Sequence, residues 1–325
     1  DMADYLRRRL TEGGIRILTN SGLQEINGET KVTSVKTGSG SLPCDILILA
    51  IGIRPATAFL EGTGIETERG LILTDEYQKT NLPDIYAVGD CAMVRNRTTG
   101  KRQWSAMGST ANIAGRALAL NLSGEETAYP GVLGTGVAKL SKTLSAAKTG
   151  LTEAAAKENG YDVISVTCVN DDKAHYYPDS SFFITKLIAD RATRKLLGAQ
   201  IIGSGSVDKM ADIAVVGISM GIKADDYITM DFAYAPPFST AIHPFAAACS
   251  ILANKMDGRL VTFTPSEYAQ GAAKDYTVID CHPAPSIPGA PWVNLTKLDG
   301  LAYGKEDRLL LVCARGKRSY LLQNK

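Results

Sequence analysis

Met2, Tyr5, Leu6 and Leu10 recur at helical spacing, and Gly13-Gly14 supplies a stop, so the chain is expected to open on a helix. Residues 15–18 read as a strand, 30–37 alternate more weakly, and a Gly/Ser turn falls at 38–41. Residues 44–50 are almost continuously apolar, which predicts a buried strand ending near Gly52 and Pro55. A second buried strand is predicted at 85–88, closed by Gly89-Asp90, and a small-residue helix over 106–122. Beyond Tyr129-Pro130-Gly131 the pattern changes. Residues 163–169, 182–188 and 196–202 alternate as strands of an antiparallel sheet with one face covered, followed by helices at about 207–221 and 241–254. After a polar, Gly-punctuated stretch at 254–275, strands at 277–280 and 309–312 begin another small α/β unit, with a loop and a helix start after them.

This patterning predicts an α/β and α+β multidomain chain, and 325 residues suit two or three domains. Lys and Arg (35) nearly balance Asp and Glu (34), so no global field attracts nucleic acid or an anionic membrane. The run at 46–53 is far too short to span a bilayer, and the N-terminus lacks a basic-then-apolar leader pattern. Six cysteines without C-x-x-C or zinc spacing suit a reducing compartment, and a cytoplasmic location is expected. The three histidines, 175, 243 and 282, have no metal-ligand spacing.

Chemistry enters at Thr80-x-x-Pro83-x-Ile85-Tyr86-Ala87-Val88-Gly89-Asp90. A strand ending in Gly-Asp lets the backbone approach a ligand and offers a carboxylate to a sugar or ribitol hydroxyl. As a bare dipeptide it reads better as a turn that merely ends a strand. The whole string resembles the second flavin-binding motif of the pyridine nucleotide-disulfide oxidoreductases. Upstream, Asp45-Ile46-Leu47-Ile48-Leu49-Ala50-Ile51-Gly52-Ile53-Arg54-Pro55 is similar to that family's strand returning from the NAD to the FAD domain. Gly108-Ser109-Thr110-Ala111-Asn112-Ile113-Ala114-Gly115-Arg116 resembles the helix start under the flavin, where a helix N-terminus stabilises negative charge. The resemblance implies FAD and NAD(P)H as cofactors, with Gly52, Gly89, Asp90 and Ala111 on the flavin side.

Four further strings occur in the order of the coenzyme A-disulfide reductase and NADH oxidase group: Thr149-Gly150-Leu151-Thr152-Glu153, His175-Tyr176-Tyr177-Pro178, Leu197-Gly198-Ala199-Gln200 and Tyr234-Ala235-Pro236-Pro237-Phe238. That resemblance implies a homodimer in which Tyr176 and Tyr234 serve the partner's active site, a phenol being able to steady a thiolate. Taken singly, each tyrosine reads as a packing residue. Where the group's pattern has a basic residue, this chain has Met210, a departure that bears on recognition of a coenzyme A phosphate.

The last signal is Leu309-Leu310-Leu311-Val312-Cys313-Ala314-Arg315-Gly316-Lys317-Arg318-Ser319-Tyr320, a strand, a basic loop and a helix. Amides aimed at the sulfur, with Arg315, Lys317 and Arg318 near it, are expected to lower the Cys313 pKa and fit it to carry sulfur as a persulfide. A lone cysteine at a strand end otherwise reads as a small hydrophobe. Cys-x-x-x-x-Arg resembles the rhodanese loop, implying Cys313 as nucleophile and Arg318 as its partner. Val278-Ile279-Asp280 and Ile287-Pro288-Gly289-Ala290 are similar to the rhodanese opening strand and turn, although Asp280-Cys281-His282 stands where Asp-Val-Arg is usual.

The resemblance therefore implies partial FAD/NAD(P)-binding Rossmann-like domains (1–50 for NAD(P), 51–126 for FAD), an α+β dimerisation domain (127–256) and a truncated rhodanese-like α/β domain (257–325). The family's phosphate loops and redox cysteine would lie before Asp1. The expected activity is FAD-dependent NAD(P)H:disulfide oxidoreduction on a small disulfide, persulfide, polysulfide or coenzyme A-type substrate, with a sulfur-transfer tail. The alternatives are an NADH oxidase or peroxidase of the same family, a non-catalytic dimerisation fragment, or a sulfurtransferase acting through Cys313.

Overall fold

Which apolar runs become strands depends on whether a second run lies ready to complete their hydrogen bonds. In the computed structural model, which describes residues 1–297, 303–304 and 306–325, the chain forms two compact units, Asp1–Phe59 and Leu60–Lys325. In the first, helix α1 (Met2–Glu12) ends at Gly13 as the periodicity predicts. Three short strands follow, β1 (Leu23–Asn27), β2 (Ser34–Thr37) and β3 (Gly40–Pro43), in an antiparallel sheet of that order.

Two expected strands are absent. Residues 15–18 are irregular, with Ile15 and Ile17 exposed. Residues 44–50 are also irregular, and Ile46, Ile48 and Ile51 are 79%, 82% and 87% exposed. An apolar run becomes a buried strand only when a neighbour completes its ladder, and among the described residues none pairs with it.

The second unit opens with two small antiparallel pairs, β4 (Thr67–Glu68) with β5 (Leu71–Ile72) and β6 (Met93–Arg95) with β7 (Arg102–Trp104). The expected strand at 85–88 is reduced to one bridge, Tyr86 to Lys79, although Ala87 is buried. Helix α2 (Gly108–Leu122) buries Thr110, Ala114 and Ala117, the two alanines packing beside Tyr129 and Val132.

The main core lies under a five-stranded antiparallel sheet of β8 (Gly136–Ser141), β9 (Leu144–Gly150), β10 (Val163–Asp171), β11 (Phe182–Asp190) and β12 (Leu196–Gly203), ordered β10-β11-β12-β9-β8. The last three match the alternation in the sequence. Strands β8 and β9 were not expected, because Ala, Ser, Thr and Lys give them little apolar contrast. Helix α3 (Glu153–Glu158) precedes β10. Helices α4 (Val207–Met220) and α5 (Pro244–Met256) cover one sheet face, α4 on β9 and β12, α5 on β10 and β11. Leu187, Ile201, Val166, Phe245 and Leu252 fill the space between. Met210 is there too, 1% exposed, so a basic side chain at this position would point into the core rather than toward a ligand. Cys168 and Cys249 are core residues, while Cys44 and Cys91 are only half-buried.

The chain closes with α6 (Pro265–Ala269), the parallel pair β13 (Thr277–Asp280) and β14 (Leu309–Val312), and α7 (Lys317–Gln323). An ion pair between Arg315 and Asp171 joins this end to the tip of β10.

Candidate functional sites

The first site grows from the turn at Gly89. Its φ of +86° favours glycine, because a side chain there would strain the backbone. A Cβ built on Gly89 would stand 3.8 Å from the Cβ of Ala111, so the Gly-Asp turn and the first turn of α2 lie side by side. Next to Gly89, the Asp90 carbonyl accepts from Trp104 Nε1 at 2.9 Å, while the residue stays exposed. No side chain caps α2, whose 15 residues begin after an extended Met107, so its first amides stay open to a ligand or solvent. A small cleft bordered by Ala87, Val88, Gly89, Ala114 and Tyr129 adjoins the turn. Three of the four expected flavin-side residues are thus neighbours. Gly52 belongs to the first unit, in an irregular stretch with φ +93°.

These groups fit the ribitol and pyrimidine side of a flavin: an acceptor carboxylate, a turn without a side chain and an open helix start. Asp90 and Gly89 would hold the polyol chain, and α2 would face the ring. No pyrophosphate cradle is formed by them.

Tyr176 and Tyr234, the two expected dimer tyrosines, are 68% and 51% exposed. Tyr176 meets His175 edge-on, with ring centroids 5.5 Å apart. No hydrogen bond among the described residues links either phenol to Cys313 or Arg318.

The second site is the loop between β14 and α7. Gly316, at φ +82°, turns the chain so that α7 starts beneath the sulfur of Cys313. Burial raises the Cys313 pKa, but the Ser319 hydroxyl, 3.5 Å from Sγ, and the amides of Ser319, Arg315 and Arg318 outweigh it and bring the pKa below the usual thiol value. The amides lower it as expected, and the part assigned to the basic side chains is corrected. The amides and Ser319 stabilise the thiolate, while Arg315 is paired with Asp171 and Arg318 Nε donates to the Cys281 carbonyl at 2.7 Å. Arg318 clamps the loop to the end of β13. Ser319 was not expected to contribute, although a hydroxyl in the first turn of a helix after a candidate nucleophile was a readable signal.

Asp280, at the end of β13, is fully buried and accepts from the amides of Ser286 (2.6 Å), His282 (2.9 Å) and Ile287 (2.9 Å) and from His282 Nδ1 (2.7 Å). Burial pushes its pKa up, yet these donors together hold it far below the carboxylate range. The carboxylate thereby fixes the 282–287 turn beside the Cys313 loop.

Residues 1–111 match the pyridine nucleotide-disulphide oxidoreductase family, and residues 141–246 match its dimerisation domain. The chain belongs to this family. Among its relatives, the NAD(P)H coenzyme A polysulfide/persulfide reductase of Pyrococcus horikoshii is 33% identical over 253 residues, 78% of this chain and 56% of that protein. NADH oxidases are relatives as well. A solved NAD-dependent persulfide reductase from A. fulgidus superposes with a TM-score of 0.89 at 30% identity, covering 99% of this chain and 60% of the other. The reduced Bacillus anthracis CoADR-RHD superposes at 0.91 and 29% identity, covering 99% and 59%. Coverage of 99% leaves only a few residues outside, so the segment carrying Cys313 is largely included. The chain spans little more than half the length of the curated relatives it matches.

Proposed function

We propose that this chain supplies the flavin-ribitol side, the dimerisation domain and a rhodanese-like sulfur-carrying loop of an FAD-dependent NAD(P)H reductase acting on a disulfide, persulfide, polysulfide or coenzyme A-type substrate. The observation that carries the reading is the likeness to a persulfide reductase along 99% of the chain, combined with a cysteine whose pKa the loop lowers. When bound, FAD would accept reducing equivalents from NAD(P)H and pass them toward a thiol–disulfide centre. The chain's own share is more limited. Asp90 accepts from a ribitol hydroxyl, the amides opening α2 favour negative charge, and the loop amides favour the Cys313 thiolate for attack on a sulfane sulfur.

In the dimer, Tyr176 and Tyr234 project to the partner's site, consistent with their exposure here. The compartment in this reading is a reducing cytoplasm, which six free cysteines support. No helix among the described residues is long and apolar enough to cross a membrane. An NADH oxidase is the second reading, favoured by the relatives of that name. A sulfur-carrying Cys313 has no use in that reaction.

Two assays test the two halves. In the whole protein, Asp90→Ala is expected to lower FAD affinity by roughly tenfold or more, the loss of one hydrogen bond to a charged acceptor. Unchanged flavin content would remove Asp90 from the site. Sulfur transfer from thiosulfate to cyanide is expected with the chain as it stands and should vanish in Cys313→Ser. Transfer that survives this substitution would end the sulfur-carrier reading.

A further inference from the structure

Cys313 has a second thiol beside it. Strands β13 and β14 pair in parallel from Thr277↔Leu309 to Asp280↔Val312. The ladder continues one step, since the Cys281 amide donates to the Val312 carbonyl at 2.8 Å. The next residues on the two strands are Cys281 and Cys313, cross-strand neighbours on one face. Adjacent strands lie about 4.8 Å apart, inside the range of roughly 4.4–6.8 Å between Cα atoms that a disulfide spans.

Both side chains belong to one apolar cluster, with Cys281 fully buried among Ile279 and Val293 and Cys313 packed against it from the rim. The two differ in reactivity. Burial and then charge on Cys313 push the Cys281 pKa up, whereas the loop brings that of Cys313 down. Sulfur therefore enters at Cys313, and Cys281 waits as a protonated thiol behind it. Arg318 also holds the Cys281 carbonyl at 2.7 Å, so the loop and the second cysteine are fixed together.

We propose that Cys281 is the resolving thiol for Cys313, so that sulfur taken up by the loop is released as hydrosulfide while a Cys281–Cys313 disulfide closes. This rests on the reading of Cys313 as a sulfur carrier. In the first step the Cys313 thiolate attacks the outer sulfur of a sulfane donor such as thiosulfate. The donor's S–S bond breaks, sulfite leaves with the electron pair, and Cys313 carries a persulfide. In the second step Cys281 attacks the inner sulfur, the Sγ that packs against its own cluster. The persulfide S–S bond breaks, and the outer sulfur departs with the thiol proton as hydrosulfide. The two cysteines are oxidised by two electrons, and the sulfane sulfur is reduced by two. A dithiol reductant, or a disulfide-reducing flavin centre of the kind proposed above, restores the pair. The tail then acts as a sulfide-releasing site as well as a carrier.

The experiment uses the pre-reduced chain under anaerobic conditions, with thiosulfate present and cyanide absent. It reads released sulfide, intact mass and a non-reducing peptide map. The wild type is expected to release one hydrosulfide per chain, become two hydrogens lighter, and yield a peptide pair joined through Cys281 and Cys313. Cys281→Val, which keeps the buried position apolar, should stay one sulfur heavier, release no sulfide and still hand sulfur to added cyanide. A wild type that stays one sulfur heavier with no cross-link would overturn the resolving role and leave the carrier reading intact. A wild type that takes up no sulfur would overturn the carrier reading, and the resolving role with it.

Discussion

His243 shows how one side chain here ties folding to pH. Its Nδ1 accepts from the Phe245 amide at 3.2 Å, capping α5, and its ring stacks on Phe232 with centroids 4.5 Å apart. Burial, reinforced by the charge of Lys209, holds its pKa down to about 4. The unfolded chain protonates near 6.5. A base with a depressed folded pKa contributes stability that is full above the unfolded value and is lost as pH falls toward the folded one. Across that window the loss amounts to about 3 kcal/mol. His243→Asn retains a capping acceptor without a titrating ring. Urea unfolding between pH 7 and pH 4 is expected to show a clearly flatter decline in the variant, and matching slopes would remove His243 as a source. At this scale the sequence revealed identities better than partners. Cys313 could be picked out because it follows a strand and opens a basic loop, and Gly89 and Asp90 because of the apolar run that leads into their turn. The Arg318 clamp on Cys281 and the burial of Met210 depend on contacts distant in sequence.

Between elements, helix α4 and the 3₁₀ turn at Asp226–Thr229 meet where one side chain fills the space left by a glycine. A Cβ on Gly217 would fall 1.2 Å from Tyr227 Oη, so the ring occupies the place of the missing methyl. That hydroxyl is buried and has no partner among the described residues. Gly217→Ala is expected to destabilise by about 3 kcal/mol, the upper part of the overpacking range. Adding Tyr227→Phe, which removes the oxygen but leaves Cζ 2.5 Å from that Cβ, should recover only part of that loss. A double mutant no better than the single, by thermal melt, would sink this account. Helix α4 and strands β10 to β12 could be read in the sequence because each carries its own periodicity. Strands β8 and β9 have too little apolar contrast to announce themselves. The runs at 44–50 and 85–88 have the contrast and lack the ladder, since periodicity records which face is oily and says nothing of whether a partner strand lies alongside.

For the whole molecule, the proposed pairing of two copies has a physical motive. Helix α4 leaves Val216 and Met220 exposed, and the 234–242 stretch exposes Tyr234, Phe238 and Ile242. Light scattering at micromolar concentration is expected to give twice the 34.6 kDa of one chain. The double substitution of Phe238 and Ile242 by Asp should return it to a single copy. A wild type of unit mass would remove the pairing.

The first unit carries a different liability. Residues 46–53 form a β-prone run of aliphatic side chains without a charge, open to solvent and unmatched by a neighbouring strand among the described residues. Such segments are templates for cross-β stacking between identical chains. Until something covers this one, crowding during synthesis favours chaperone capture and precipitation over accumulation. The yield of soluble material then depends on whether another segment covers these eight residues.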